Sequence, residues 1–460
     1  MRVSTCLALL CAVAAAAAAT PAAGSAQGRP LAPTPPMGWN SWDAYGTTVR
    51  EAQVEANADA MARSLAAFGY KYVVVDIQWY QPTATSYDYK PGARLAMDAY
   101  GRLVPAENKF PSSARGAGFK PLADYVHARG LRFGIHIMRG IPRQAVAANT
   151  PIAGSKYHAA DVADTTNPSP WNPDMWGVDV TKPGGQAYYD AIARLYASWG
   201  VDFVKADDFG SHKFQPREIR ALRRALDRSG RRIVLSISPG PAPLDSAAFF
   251  ARTAQLWRIS DDFWDAWRLV RAQFDYTRSW ASRVGVNHAW PDADMLPLGR
   301  LRLVDSAGRG SPSRLTPDEQ RTVMTLWSIF RSPLIVGGDL PTLDPATLAL
   351  LTNPEVLAVD QGGERPREVL DRDGIRAWRS EVPGSGDRYV AVFNLDSVPR
   401  HVDLAWRDLA LAPGAHRVRD LWARADLGAA ERVVLDLAPH ASALYRVGRR
   451  QGTSNRAPSR

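Results

Sequence analysis

Eight short apolar runs with helix-like stretches between them limit what this chain can fold into more than any other feature. The runs are Met37 to Trp42, Tyr70 to Trp79, Leu131 to Met138, Asp202 to Asp208, Arg232 to Gly240, Leu256 to Asp262, His288 to Leu296 and Pro333 to Leu340. Between them, residues 51–68, 119–129, 186–199, 216–229 and 317–330 place apolar side chains three and four apart, the period of an amphipathic helix. Several runs are almost wholly apolar, which is the pattern of parallel strands buried on both faces. The chain is therefore expected to be α/β, a (β/α)8 TIM barrel over residues 32–361. A doubly wound open sheet is the rival, but no Gly-x-Gly-x-x-Gly follows the first run to support a dinucleotide site.

Beyond residue 361 the texture changes to short alternating runs such as RYVAVFNLD, HVDLAW and RVVLDLAP, separated by Asp-Gly, Pro-Gly and Gly-Ser turns. Residues 362–448 read as a small C-terminal antiparallel β-sandwich domain. At the other end, Arg2, an apolar run and small residues up to Ala26 have the form of a secretory signal peptide over residues 1–26. The expected location is secreted or periplasmic, with no membrane attachment of the mature form. Both cysteines, Cys6 and Cys11, lie in that leader, so the mature protein is expected to have neither disulfides nor thiolate metal sites. Residues 449–460, RRQGTSNRAPSR, are basic and acid-free, and read as a disordered tail. No aromatic residue interleaves them, so nucleic acid is not an expected partner.

Reactive groups of such a barrel collect where its strands end. Those positions here hold Trp42, Asp76, His136, Lys205 with Asp207, Ser238, Arg258 with Asp262, Asp294 and Asp339. One aspartate at a strand end is an ordinary turn residue, but a ring of them is not. Even spacing along a strand returns to the same face, so Lys205 is expected beside Asp207 and Arg258 beside Asp262, each cation favouring the ionised carboxylate. Two carboxyl groups facing one cavity are what glycoside hydrolysis needs, one on each side of the bond cut. Trp39, Trp42, Trp79, Tyr80, Trp257, Trp264 and Trp290 lie at the same ends and suit the C–H faces of sugars, although core packing explains some of them equally well. The expected partner is an oligosaccharide or polysaccharide. Cation binding by His136, Asp76, Asp207 and Asp294 is the competing chemistry. Lys205 beside Asp207 opposes it, and no paired histidines have ligand spacing, so neither metal nor cofactor is expected. Nucleophilic serine or cysteine chemistry lacks its Gly-x-Ser-x-Gly and its thiol.

The ordered segments PPMGWNSWDAYG, GYKYVVVDIQW, WGVDFVKADD, WRISDDFWDAW, WPDADML, SPLIVGGDL and LLTNPEVLAVDQ resemble the α-galactosidase (melibiase) family, glycoside hydrolase family 27. The resemblance implies a retaining, double-displacement exo-glycosidase cleaving terminal α-D-galactosyl residues. It assigns the nucleophile to Asp207 and the acid/base to Asp262, and sugar binding to Trp42, Asp76, Lys205, Arg258 and Asp294. Asp208 and Asp261, the leftover neighbours, are expected to support the loops behind the site.

Three departures bear on the sugar. The family's paired aspartates at the end of strand two are Asp76 and Ile77 here, the usual tyrosine of strand three is His136, and Phe209 replaces the cysteine of a disulfide beside the nucleophile. Ile77 cannot accept a hydrogen bond, and so suits a sugar with no hydroxymethyl group, such as β-L-arabinopyranose. The alternatives are thus a β-L-arabinopyranosidase, an isomalto-dextranase-like enzyme acting on α-glucans, or a non-catalytic carbohydrate-binding barrel.

Overall fold

Each of the eight apolar runs contributes one strand to a single parallel sheet. The computed structural model describes residues 30–210, 214–304 and 308–449. The leader read at 1–26 lies outside the described residues, as does the basic tail beyond Arg449. The strands are β1 (Met37–Asn40), β2 (Tyr72–Val75), β3 (Arg132–Met138), β4 (Phe203–Asp207), β5 (Val234–Ile237), β6 (Leu256–Arg258), β7 (Trp290–Asp292) and β8 (Leu334–Val336). They follow one another in the order β7-β6-β5-β4-β3-β2-β1-β8. Just past β7, Leu296 bridges Val336 in the parallel sense and donates its N–H to the Ile335 carbonyl at 2.7 Å, which closes the barrel.

Most strands are shorter than the runs that announced them. β6 stops at Arg258, and Ile259 to Asp262 already belong to the loop that follows it. Apolar character persists past the sheet because the rim loops fold back over the barrel: Ile259 and Phe263 are buried as completely as strand residues.

The five expected helices form as Glu51–Ser64, Lys120–His127, Pro183–Trp199, Pro216–Arg228 and Pro317–Phe330, and Trp267–Trp280 adds another long one. Proline at the first position starts three of the five, where the missing N–H costs nothing. Gly200 ends Pro183–Trp199 at φ 85°, the left-handed turn that lets the chain drop straight into β4.

The C-terminal part folds as expected into antiparallel sheets. β9 (Glu364–Arg372), β10 (Ile375–Glu381), β11 (Arg388–Asn394), β12 (Arg400–Ala405), β13 (His416–Asp420), β14 (Ala425–Ala430), β15 (Arg432–Leu437) and β16 (Ser442–Arg449) form a six-stranded sheet, β9-β10-β11-β16-β13-β14, and a pair, β12-β15. Val390, Val392, Val402, Leu404, Trp406 and Val433 fill the space between them. The other face of the larger sheet joins the barrel. Trp378, Phe393 and Leu444 belong to the same buried cluster as barrel residues, and Phe393 meets Phe274 of helix Trp267–Trp280 edge to face at 4.9 Å. Polar contacts along helix Pro317–Phe330 complete the seam: Thr322 Oγ1 donates to the His440 carbonyl at 2.6 Å, and Trp422 Nε1 donates to Thr325 Oγ1 at 3.0 Å.

This shared core predicts that Phe393→Ala destabilises the protein by about 3–5 kcal/mol, the usual cost of truncating a buried aromatic. Chemical denaturation followed by tryptophan fluorescence measures it. A loss below about 1 kcal/mol would show that the sandwich and barrel do not share a core.

Candidate active site

A pocket of about 310 Å³ opens at the C-terminal ends of the barrel strands, lined by Trp42, Asp76, Ile77, Tyr89, Trp171, Lys205, Asp207, Pro239, Asp261, Asp262 and Met295. Six of the nine sequence candidates therefore meet there: Trp42, Asp76, Ile77, Lys205, Asp207 and Asp262. Asp76 follows the last residue of β2, and its Oδ2 accepts hydrogen bonds from Asn40 Nδ2 at 2.8 Å and Lys205 Nζ at 2.9 Å. Burial pushes this carboxyl up, but Lys205, His136 and Asn40 outweigh burial and hold it below the usual range. Burial would likewise lower the Lys205 ammonium, yet Asp76, Asp207 and Asp294 together raise it above the ordinary lysine value. Ile77, next in the chain, is 1% exposed and gives the pocket an apolar surface beside that ion pair.

Asp207 ends β4. Its Oδ2 lies 2.9 Å from His136 Nε2, and its Oδ1 accepts the Asp208 N–H at 2.9 Å. Burial raises this carboxyl too, but the His136 hydrogen bond, the Lys205 charge and the Asp208 N–H leave it below the usual carboxylate range. Asp207 is thus an ionised carboxylate, and each oxygen keeps a lone pair beyond the donor it already has. Asp208, one residue past the strand and at φ 67°, turns the other way, and its Oδ2 receives Arg139 Nε at 2.9 Å. The same guanidinium reaches Glu218 at 2.9 Å, and Tyr189 Oη donates to Glu218 at 2.6 Å. Arg139, Asp208 and Glu218 are all buried, forming an ionic anchor directly behind Asp207.

Asp262 faces the pocket from the loop after β6, with 60% of its side chain exposed. Arg258 Nη2 approaches it at 3.4 Å while donating to the Ser260 carbonyl at 3.2 Å. The expectation that strand periodicity brings this pair together is corrected here, because β6 ends at Arg258 and the loop turns back on itself. Arg258 Nη1 also holds Asp294 Oδ1 at 2.8 Å, and Asp294 Oδ2 accepts the Phe263 N–H at 2.7 Å.

Three candidates stand behind the pocket wall rather than in it. His136 is fully buried and touches Asp207, so its contact is with a carboxylate and not with the cavity. Arg258 and Asp294 are 2% and 3% exposed and brace the Asp262 loop from below. Asp339, also read at a strand end, is bound by Tyr45, Asn57 and Thr342 and serves its own loop. Asp261, expected to support a loop, is instead exposed and lines the pocket. Among the aromatic residues, Trp39, Trp79, Tyr80, Trp257 and Trp290 are core, whereas Trp42 and Trp264 are half-buried at the rim.

Sequence reasoning missed Tyr89 and Trp171, which come from the long loops after β2 and β3. Tyr89 stacks on Trp42 at 6.4 Å and tilts against Trp171 at 5.3 Å, forming one aromatic wall. It also missed Asp43, buried beneath the pocket. Burial, together with the charges of Asp294, Asp262 and Asp76, raises that carboxyl well above its ordinary value against the pull of Lys205. The only hint was its place in GWNSWDAYG. Among the described residues no group of three or more His, Cys, Asp or Glu side chains has the arrangement of a metal site, and no helix is long and apolar enough to cross a membrane.

Comparison with known proteins agrees with this arrangement. Residues 176–362 match the family model described as alpha galactosidase A, and residues 373–447 match the alpha galactosidase C-terminal beta sandwich domain. The chain is 31% identical to an α-galactosidase of Coffea arabica over 396 residues, 85% of this chain and 87% of that protein. It is 28% identical to α-galactosidase 2 of Arabidopsis thaliana over 428 residues, 92% and 91% of the two chains. Among solved structures, a glycoside hydrolase family 27 β-L-arabinopyranosidase from Geobacillus stearothermophilus in complex with arabinose is 52% identical, covering 92% of this chain and 98% of that one with a TM-score of 0.88.

The His136 contact yields a measurable consequence. His136→Phe removes the donor on Asp207 Oδ2, so the Asp207 carboxyl moves up toward or past the ordinary aspartate value. A 13C-carboxyl titration should show its midpoint rising. An unchanged midpoint would mean that Lys205 and the Asp208 N–H alone keep Asp207 ionised.

Proposed function

The chain belongs to the α-galactosidase family, glycoside hydrolase family 27, and is a glycoside hydrolase; from that premise we propose that it is a retaining exo-β-L-arabinopyranosidase. The observation that carries the choice of sugar is Ile77 beside Asp76. β-L-Arabinopyranose has the ring stereochemistry of α-D-galactose without the hydroxymethyl group. Asp76 and Lys205 supply the acceptor and donor that ring hydroxyls need, and Ile77 supplies an apolar contact where a hydroxymethyl group requires a partner. A galactoside hydroxyl buried there without an acceptor costs about 1–3 kcal/mol, or roughly five- to 150-fold in discrimination. The 52% identity to a β-L-arabinopyranosidase supports the same reading.

In this reading Asp207 attacks the anomeric carbon while Asp262 gives its proton to the leaving oxygen. The C–O bond to the leaving group breaks, a C–O bond to Asp207 forms, and inversion occurs once. Asp262, now a carboxylate, then takes a proton from water, which attacks the same carbon and releases Asp207, inverting it again, so configuration is retained. His136 and Lys205 keep Asp207 charged between turnovers, and Arg258, itself tied to Asp294, steadies the Asp262 loop. The exposed Asp262 side chain suits a group that must meet both a departing sugar and an arriving water. The enzyme is proposed to act outside the cytoplasm, after residues 1–26 are removed.

A second reading, α-galactosidase, is favoured by the identity to the Coffea arabica enzyme. Initial rates on p-nitrophenyl β-L-arabinopyranoside and p-nitrophenyl α-D-galactopyranoside separate the two. The arabinoside should be hydrolysed with the higher kcat/KM, Asp207→Asn should lower both by at least about a thousandfold, and Ile77→Asp should shift the preference toward the galactoside. A wild-type preference for the galactoside would hand the site to the second reading, and full activity of Asp207→Asn would overturn the mechanism.

A further inference from the structure

Away from the pocket, helix Pro216–Arg228 turns a row of arginines outward. Arg217, Arg220 and Arg224, three and four residues apart, are all exposed and share one face within about two turns, roughly 10 Å along the axis. We propose that this face is a docking surface for an acidic polysaccharide, a chain bearing uronate carboxylates, held outside the rim that carries Asp207. Docking there does not depend on which terminal sugar the pocket prefers.

None of the three forms an ion pair among the described residues. Arg220 lies over the Phe249 ring at 4.9 Å, and Arg224 donates from Nε and Nη2 to Gln186 Oε1 at 3.0 and 2.8 Å, so neutral partners hold both guanidinium groups in place. Arg217 makes no hydrogen bond among the described residues, and an acid within its field, Asp179, is already shared with Lys182 at 3.9 Å. The other acids nearby are committed elsewhere: Asp227 to Arg223 at 2.8 Å, Asp190 to Arg228 at 2.6 Å, and buried Glu218 to Arg139 at 2.9 Å. Such a row is costly to the helix that carries it. Like charges three and four apart repel, and Arg217, at the second helical position, sits against the positive end of the helix dipole. An anion laid along the face relieves both, and the formal net charge of +10 favours its approach.

The chemistry of the face selects the occupant. Every exposed side chain from 217 to 228 is charged, so the helix offers no apolar group to a membrane and no ring on which a nucleic-acid base could stack. A guanidinium fixed in orientation matches a carboxylate through two parallel N–H donors. Uronic acids supply those carboxylates in the polysaccharides among which a glycoside hydrolase works. The place suits such a chain as well. The Gln215 N–H donates to the Phe209 carbonyl at 3.1 Å, so the helix starts at the rim beside Asp207, and a polymer bound along it raises the local concentration of its chain ends at the pocket.

Affinity electrophoresis of the full-length protein through gels containing polygalacturonate, with fully methyl-esterified pectin as the uncharged control, tests this. Polygalacturonate should retard the protein, and the uncharged polymer should not. The dissociation constant should rise at least tenfold when Arg217→Glu, Arg220→Glu and Arg224→Glu are combined. The same three positions changed to Gln, which removes charge without reversing it, should weaken binding in the same direction, and circular dichroism checks that each variant keeps its fold. A matched set of exposed arginines in the C-terminal domain, Arg372→Glu, Arg407→Glu and Arg417→Glu, should keep at least half of the wild-type affinity. No retardation by polygalacturonate, an equal loss in the matched set, or tighter binding to polyphosphate or double-stranded DNA overturns the inference. Binding is read without turnover, so its failure leaves the hydrolase reading standing.

Discussion

A half-buried lysine set among carboxylates, Lys205, organises the mouth of this barrel. It bonds to Asp76 at 2.9 Å and its charge reaches Asp207 and Asp294. Taking such groups out of water costs several kcal/mol per ion unless each finds partners. Here each does: Asn40 shares Asp76, His136 shares Asp207 and Arg258 shares Asp294. The result is a floor in which two carboxylates stay ionised mainly through their protein partners. A carboxylate held this way is preorganised for reaction at the sugar and does not wait for the site to rearrange.

The strand that carries Asp207 is secured from behind by charge. Arg139 ties Asp208 of the rim to Glu218 of helix Pro216–Arg228, and Tyr189 adds a third element. Phe209 stands where the resemblance places a cysteine, and is itself fully buried. Ionic anchoring and packing therefore occupy the place of a covalent tie, which accords with a sequence that has no cysteine after Cys11.

Much of this was legible because barrel strands are buried on both faces and so read as continuous apolar runs, and because catalytic groups follow directly on strand ends. Asp76, Lys205 and Asp207 follow from that rule alone, and Ile77 from its departure from the family's paired aspartates. The rule failed where the backbone leaves the sheet. Arg258 and Asp262 meet through a turn whose geometry no periodicity encodes, and Asp261 points outward for the same reason. Tyr89 and Trp171 come from loops with no repeating pattern, so only the folded chain brings them beside Trp42. His136 sat at the right strand end but inside the wall, because its ring finds a carboxylate partner before it reaches the cavity. Asp265 binds Arg302 and Arg314, 37 and 49 positions away, a long-range pairing invisible to local reading.

Asp261 and Asp262 line both the inner pocket and a wider groove outside it, which bears on where the sugar ends up. On the reading proposed above, Asp262 deprotonates whatever hydroxyl stands beside the covalent intermediate, and chemistry alone does not distinguish water from the hydroxyl of a carbohydrate. On that reading, the concentration of acceptor sugar around the site sets how often a bond is moved rather than broken.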